Sequence, residues 1–431
     1  MYPNLYSFFV DVFGAAPAFT KYLNSFGFFV ALAFIAAALV LTKGLQLKEK
    51  KGFLSPKEEK RVFGKPASAI ELIINGLLGF LMGYKILGAF LQAGDETLDP
   101  QSFIFSSQGN WGAGILLALL FAGLKWYEKN KDKAAKPEER MVRIWPHERV
   151  GDMTVLAALF GFGGAKIFHN LENWDDFVKD PIGSLISFSG LTFYGGLICA
   201  GVAIMIFAKR KNISLRHLAD CFGPALMIAY AVGRIGCQVA GDGDWGILNS
   251  AYTADSTGTV RLAEPGDFQK TLEQHKDYYL KQEFQQISSI NEIPHKAFKA
   301  PSFLPVWMVA YTYPHNVNSM GAHIAGCEGE EHCNYLPVPV FPTPFYETIV
   351  AGLFFGALLF FRKRIHLPGA LCSLYLILTG IERFFVEKIR VNTKYEDLPF
   401  QPTQAEIISI SLILLGIALY FVCKKKAATD K

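Results

Sequence analysis

The chain has 431 residues, of which 51% are apolar, 14% aromatic and 19% charged, and its mean hydropathy is positive. This composition excludes an ordinary soluble protein and predicts an all-α polytopic membrane protein. The formal net charge of +4 comes from basic clusters between apolar stretches. It therefore indicates membrane topology, and we expect no nucleic-acid partner.

Along the chain, nine stretches are apolar and long enough to be predicted membrane spans. Basic residues concentrate in alternate connections such as 43–66 and 128–150, whereas 94–110 has no lysine or arginine. By the positive-inside rule, the N-terminus lies outside and the C-terminus lies in the cytoplasm. The predicted spans are 24–42, 67–93, 111–127, 151–168, 190–208, 217–238, 346–361, 368–387 and 404–423.

The N-terminal arm and the long polar segment 241–341 are predicted to lie outside the membrane. In the arm, Phe8, Phe9, Val12 and Phe13 fall at helical spacing, which fits either a helix on the membrane surface or a frayed terminus.

The outer segment carries Cys327 and Cys333, six residues apart. A short-loop disulfide in an oxidising compartment, two free thiols, or a metal site with His323 and His332 all fit this spacing.

Ionisable residues inside apolar spans are candidates for function because burying them in lipid is costly. Arg234 lies at an outer span end beside glycines, a setting typical of an anion site. Arg383 and Glu387 are four residues apart on one helix face, which fits a structural salt bridge or, with Arg234, a clamp for a phosphodiester. Glu347 falls in the first turn of the seventh predicted span, where it either caps the helix or serves the site. Lys166, near an outer span end, has the length to reach lipid headgroups.

The fifth predicted span opens with Tyr194, Gly195 and Gly196. The glycine pair permits close helix packing, and it also directs the Tyr194 hydroxyl towards the bundle interior near the outer surface.

Five short motifs occur in the order Tyr194–Leu197, Gly233–Gly246, Pro342–Glu347, Gly380–Glu387 and Thr403–Ser409. In this order they resemble the motifs of the prolipoprotein diacylglyceryl transferase family. The resemblance implies a bacterial enzyme of the plasma (inner) membrane, multi-pass, with its active site toward the outer face. It also implies the reaction: the diacylglyceryl group of phosphatidylglycerol passes to the lipobox cysteine of prolipoprotein signal peptides, a thioether forms and glycerol phosphate leaves.

The resemblance also implies site residues. Arg234, Arg383, Tyr194 and Glu387 are expected to be catalytic, with the two arginines on the phosphate and Glu387 holding Arg383. Tyr194 stands where the family often has histidine, and Cys237 where its main form has asparagine. We expect no cofactor and no metal. The residues expected to bind substrate are Gly195, Gly196, Gly236, Cys237, Gly246, Tyr346, Glu347 and Lys166.

Relative to a family core of about seven spans, a hairpin and the head region look inserted.

An alternative from another class is a non-catalytic membrane protein, either an anion or lipid transporter or an inactive lipid-binding relative. The predicted regions are an extracytoplasmic N-terminal arm (1–23), the first span and cytoplasmic loop (24–66), an inserted transmembrane hairpin with a basic loop (67–150), a catalytic transmembrane core (151–246), an extracytoplasmic head insertion (247–341), and C-terminal transmembrane helices with a cytoplasmic tail (342–431).

Overall fold

The computed structural model describes residues 1–91, 108–131, 138–186, 192–328, 332–392, 395 and 399–429. The chain forms two compact units. The first comprises Met1–Ala16, Leu23–Leu41 and Arg216–Lys431, and the second comprises Pro17–Tyr22 and Thr42–Leu215.

The structure is mostly helical, as the composition predicts. It includes a π-helical turn at Met82–Leu87. In chain order the α-helices are α1 (Leu5–Phe13), α2 (Ser25–Lys50), α3 (Ala69–Leu81), α4 (Gly88–Leu91), α5 (Trp111–Lys131), α6 (Val150–Glu172), α7 (Trp174–Lys179), α8 (Pro181–Ile186), α9 (Phe193–Arg210), α10 (Leu215–Ala240), α11 (Asp267–Gln274), α12 (Lys276–Tyr278), α13 (Thr343–Arg362), α14 (Ala370–Glu387) and α15 (Gln404–Thr429).

Within the described ranges, six helical segments are long and apolar enough to cross a membrane, which makes this a multi-pass membrane protein. The other three predicted spans coincide with α5, α9 and α14, which are shorter or less apolar. Residues 92, 93, 190 and 191 of the predicted spans lie outside the described residues. The six segments are Ser25–Lys50, Ala69–Leu91, Pro146–Glu172, Leu215–Ala240, Thr343–Arg362 and Gln404–Ala428.

In the second unit, α3 packs against α5 and α6 packs against α9. The two basic connections form an antiparallel ribbon of β1 (Lys57–Phe63) and β2 (Glu138–Ile144), in which Lys57 pairs with Ile144. Cross-strand charge pairs support the ribbon, such as Arg143 Nε with Glu58 Oε1 at 3.0 Å.

In the first unit, the segment between α10 and α13 has its own hydrophobic core and two short antiparallel strand pairs. The pairs are β3 (Tyr252–Ala254) with β4 (Val260–Leu262), and β5 (Ala322–His323) with β6 (Asn334–Tyr335). The core contains Trp245, Leu248, Phe268, Leu272, Tyr278, Tyr279, Phe284, Ile290, Ile293, Tyr313, Leu336, Val338 and Val340.

Backbone hydrogen bonds bring three chain segments together where α10 ends and α13 begins. Gly246 donates to Phe341 O at 2.9 Å, and Ile247 donates to Ile389 O at 2.9 Å. The Thr343 hydroxyl donates to Asp244 O at 2.7 Å. These bonds place residues 244–247, 341–347 and 387–390 side by side, which positions the site.

Candidate functional site

Glu347 is the centre of a buried cluster of charges. Its side chain is fully buried, and Arg234 Nε lies 2.7 Å from its Oε2. Its Oε1 lies 3.6 Å from Arg383 Nη1 and 3.7 Å from Arg390 Nη1. One carboxylate from near the start of α13, just after its first turn, therefore meets guanidinium groups from α10, from α14 and from the chain just after α14.

Asp244 forms a second bridge within this cluster. One carboxylate oxygen pairs with Arg234 Nη1, and the other accepts a hydrogen bond from Arg390 Nη2 at 2.7 Å. Burial raises the pKa of the Asp244 carboxyl, but attraction to Arg234 and Arg390 outweighs that effect and lowers the pKa to about 2. Asp244 is therefore ionised at physiological pH and fixes the orientation of both arginines.

Glu387 forms an ion pair with Arg383 at the guanidinium nitrogen that does not face Glu347. Arg383 Nη2 lies 3.3 Å from Glu387 Oε2, one turn along α14. Glu387 Oε1 accepts hydrogen bonds from Asn392 Nδ2 at 2.6 Å and from Thr403 Oγ1 at 2.7 Å. Thr403 also accepts from Glu406 N at 3.2 Å as the N-terminal cap of α15. Arg383 is thus positioned by groups from α14 and α15.

The arrangement suits anion recognition because three cations are held rigidly and remain accessible. Three arginines face three carboxylates, so the cluster is close to neutral and each arginine side chain is mostly buried. The side chains of Arg390, Arg234 and Arg383 keep 13%, 14% and 23% of their surface exposed. Arg383 is therefore the most accessible of the three. Preorganised guanidinium groups of this kind stabilise negative charge that develops on a phosphate.

Gly236 and Gly246 both lie close against neighbouring protein, and the expectation that they also make room for a headgroup stays a prediction. A Cβ on Gly246 would lie 2.5 Å from Ile389 O and 3.0 Å from Phe341 O. A Cβ on Gly236 would lie 2.9 Å from the Phe29 side chain. Both glycines allow close approach of neighbouring protein, and that is why no side chain fits there.

Two other predicted residues of the first unit lie beside the cluster. Cys237 is buried, with its Sγ 3.5 Å from Arg234 Nη1. The Tyr346 hydroxyl donates to Met308 O at 2.5 Å, so it fastens α13 to the preceding segment.

Tyr194, Gly195, Gly196 and Lys166 belong to the second unit, where α6 and α9 pack closely. A Cβ on Gly196 would lie 2.8 Å from Gly161 O, which favours the packing interpretation of the glycine pair. Lys166 is 5% exposed, and its contact with lipid headgroups stays a prediction. It lines a cavity of about 320 Å³ with His169, Asn170, Asn173, Asp176, Phe177 and Ser184.

Sequence reasoning missed Arg390 and Asp244. Asp244 lies inside the glycine-rich stretch after α10, and Arg390 follows Glu387 by three residues. Both lie outside the apolar stretches of the sequence, where a charged residue is not unusual. The one sequence signal for Arg390 is that it follows Glu387 by three residues, which is close to one helical turn.

The cysteines of the outer segment are paired. Cys327 and Cys333 form a disulfide with their Cα atoms 5.7 Å apart, so these thiols are not available to a metal. Elsewhere, possible ligand atoms of Cys237, Asp242 and Asp244 lie within 4.8 Å of one another. Because Asp244 already pairs with Arg234 and Arg390, adjacent positive charge disfavours a cation there.

The region that contains this cluster matches a known family. The sequence model of the prolipoprotein diacylglyceryl transferase family matches residues 109–422. The chain belongs to the prolipoprotein diacylglyceryl transferase family. It is therefore a transferase, and all six members of the charge cluster lie within the matched region.

Individual relatives agree with the family match. A phosphatidylglycerol–prolipoprotein diacylglyceryl transferase of Finegoldia magna is 25% identical over 293 residues, covering 66% of this chain and 85% of that protein. One from Leptospira interrogans is 25% identical over 337 residues, covering 67% and 83%. One from Dehalococcoides mccartyi is 22% identical over 336 residues, covering 78% and 97%.

Proposed function

We propose that this protein transfers the diacylglyceryl group of phosphatidylglycerol to the thiol of a prolipoprotein's lipobox cysteine. The names of the relatives support the substrates. The observation that carries the proposal is the set of three arginines held around Glu347 and Asp244, because the reaction expels a phosphate group.

In this reaction the cysteine sulfur attacks the carbon of the diacylated glycerol that is esterified to the phosphate. A carbon–sulfur bond forms and the carbon–oxygen bond breaks, so glycerol phosphate leaves with the bonding electrons and the thiol proton passes to a base. Negative charge grows on the leaving oxygen in the transition state. Arg383 and Arg234 are proposed to stabilise that charge, with Arg390 as a third cation.

The carboxylates have a positioning role in this proposal. Glu387 holds Arg383, whereas Glu347 and Asp244 hold Arg234 and Arg390. With these partners in place the guanidinium groups need little reorganisation when the phosphate arrives, which lowers the barrier.

Tyr194 is proposed to contact the substrate. We assign it hydrogen-bond donation because a phenol O–H is a hydrogen-bond donor. We propose that the Lys166 cavity and the glycine pair Gly195–Gly196, in the first turn of α9, serve substrate binding.

The proposed topology has nine spans, with α5, α9 and α14 crossing alongside the six most apolar segments. The basic connections containing β1 and β2 would face the cytoplasm of a bacterial cell, with the C-terminus. The N-terminus, the head at 247–341 and the charge cluster would face outwards. In this arrangement phosphatidylglycerol reaches the arginines laterally from the outer leaflet.

A reconstituted assay tests the function. Purified protein is mixed with phosphatidylglycerol and a lipobox peptide, and the diacylglyceryl thioether is measured by mass spectrometry. We expect product from the wild type and a loss of roughly 100-fold or more in Arg234→Ala and Arg383→Ala. Arg261→Ala, at an exposed arginine of β4, is the matched control and keeps activity. Full activity in both cluster variants contradicts the assigned roles, and a folded wild type without product indicates an inactive relative.

A further inference from the structure

A short stretch of the head exposes large apolar side chains. Phe303 is 80% exposed, Trp307 is 43% exposed, and Phe298 and Val306 are each 40% exposed. Exposed aromatic side chains at this density are unfavourable against water and mark a surface that contacts something else. We call residues 296–307 the aromatic loop.

The aromatic loop is held in a defined shape. Pro301 and Pro305 restrict its backbone. Leu304 N donates to Pro301 O at 2.9 Å, and a 3₁₀ turn covers Val306–Met308. The exposed side chains are therefore presented by an ordered turn.

The structure also fixes the position of the loop relative to a membrane span. The Trp307 ring packs edge-on against the Phe345 ring, with centroids 4.9 Å apart. The Tyr346 hydroxyl donates to Met308 O at 2.5 Å. Phe345 and Tyr346 belong to the first turn of α13, one of the six membrane-crossing segments. The loop therefore lies at the depth where that span meets the headgroups, which is where tryptophan concentrates in membrane proteins.

The positive charge of this region favours binding to an anionic surface. Lys296 and Lys299 are exposed and flank Phe298. The sequence has no aspartate or glutamate from residue 293 to residue 327. Lysines beside aromatic side chains are the combination that binds the headgroup and acyl boundary of anionic lipid.

We propose that the aromatic loop inserts into the surface of the lipid bilayer that α13 crosses. Phe303 and Trp307 enter the boundary between headgroups and acyl chains, and Lys296 and Lys299 pair with lipid phosphates. The bilayer is the occupant because α13, to which the loop is fastened, is itself embedded in it. Insertion would also hold the first turn of α13, which directly precedes Glu347.

Tryptophan quenching tests the proposal on the full-length protein, without reference to catalysis. Phe303→Trp and the matched control Leu262→Trp, at a 52% exposed apolar residue of β4, are each reconstituted into vesicles of phosphatidylcholine and phosphatidylglycerol. The acyl chains are brominated or unbrominated, and wild-type emission is subtracted. We expect bromine to remove most of the emission added at position 303 and much less of that added at 262. Thermal unfolding in detergent confirms that both variants are folded.

Two outcomes overturn the proposal. One is that the emission added at position 303 is quenched no more than that at position 262. The other is that it is insensitive to brominated lipid but shifts when a lipobox peptide is added, which would make the loop a polypeptide-binding surface.

A second measurement tests the charge component. In the Phe303→Trp protein, quenching should be stronger in vesicles containing phosphatidylglycerol than in pure phosphatidylcholine. Adding Lys296→Gln and Lys299→Gln should abolish that difference. An unchanged difference contradicts the pairing of these lysines with lipid phosphate.

Discussion

Arg234 and Glu347 meet across two helices, with the arginine Nε 2.7 Å from a glutamate Oε2 whose side chain has no exposed surface. Arg234 comes from the last turns of α10, and Glu347 follows the first turn of α13. Because Glu347 also lies near Arg383 and Arg390, this pair is where three arginines are anchored.

Glu347→Ala should destabilise the protein strongly. Removing one partner of a buried charge cluster leaves desolvated cations without compensation, which costs about 3–5 kcal/mol. The measurement is thermal or chemical unfolding in detergent. Glu264→Ala, at an exposed glutamate of the head, is the control and should change stability little. Equal stability of the two variants would mean that Glu347 does not anchor the arginines.

Thr403→Ala should lower transferase turnover although Thr403 is not proposed to touch substrate. Its hydroxyl donates to Glu387 at 2.7 Å, and Glu387 positions Arg383. Its loss also removes a helix cap, which costs about 1 kcal/mol.

Thr403→Ser is the matched control because it keeps the hydroxyl. We expect it to restore kcat towards the wild-type value, whereas Thr403→Ala lowers kcat more than it raises KM. If serine and alanine variants have equally low kcat, the hydroxyl has no positioning role.

The contribution of Asp244 to stability should depend on pH in a defined direction. Its folded-state pKa of about 2 lies below the ordinary value of 3.8. The unfolded chain therefore binds more protons between these values. The stabilisation is complete above about pH 4 and is lost as the pH falls towards 2.

Comparing unfolding temperatures of the wild type and Asp244→Asn across pH tests this dependence. The difference should be constant above pH 4 and shrink at lower pH. Asp175→Asn, at an exposed aspartate of α7, should show a small difference throughout. A wild-type advantage over Asp244→Asn that grows as the pH falls would be inconsistent with the ion pairs.

Removing the disulfide should weaken the head without abolishing transfer. A loop closed by residues six apart contributes about 2–3 kcal/mol in the chain-entropy treatment. A variant with both Cys327→Ala and Cys333→Ala should unfold at a lower temperature and retain activity well below it. Loss of activity in protein that is still folded would place the disulfide within the site.

The sequence predicts the helices well because lipid demands long apolar windows, and each predicted span coincides with a helix. It also identifies Arg234, Arg383, Glu387 and Glu347, since charges in such windows are rare. Asp244 and Arg390 are not identified because they lie just outside the windows and meet only after folding. The role of Gly246 depends on the nearby Ile389 carbonyl, a contact that local sequence does not encode.

The sequence also does not indicate the β1–β2 ribbon, because its strands meet only after folding. Its strands are highly charged, lack alternating apolar residues and are separated by an entire helical hairpin. Long-range pairing of this kind leaves no periodic signal in either strand.

Direct binding of glycerol phosphate tests most sharply whether the arginines hold the phosphate leaving group. The measurement is the concentration-dependent rise in unfolding temperature of detergent-solubilised protein, which does not require the variant to be active. We predict a rise for the wild type and for Arg261→Ala, and none for Arg383→Ala. A rise in Arg383→Ala equal to that of the wild type would contradict the account.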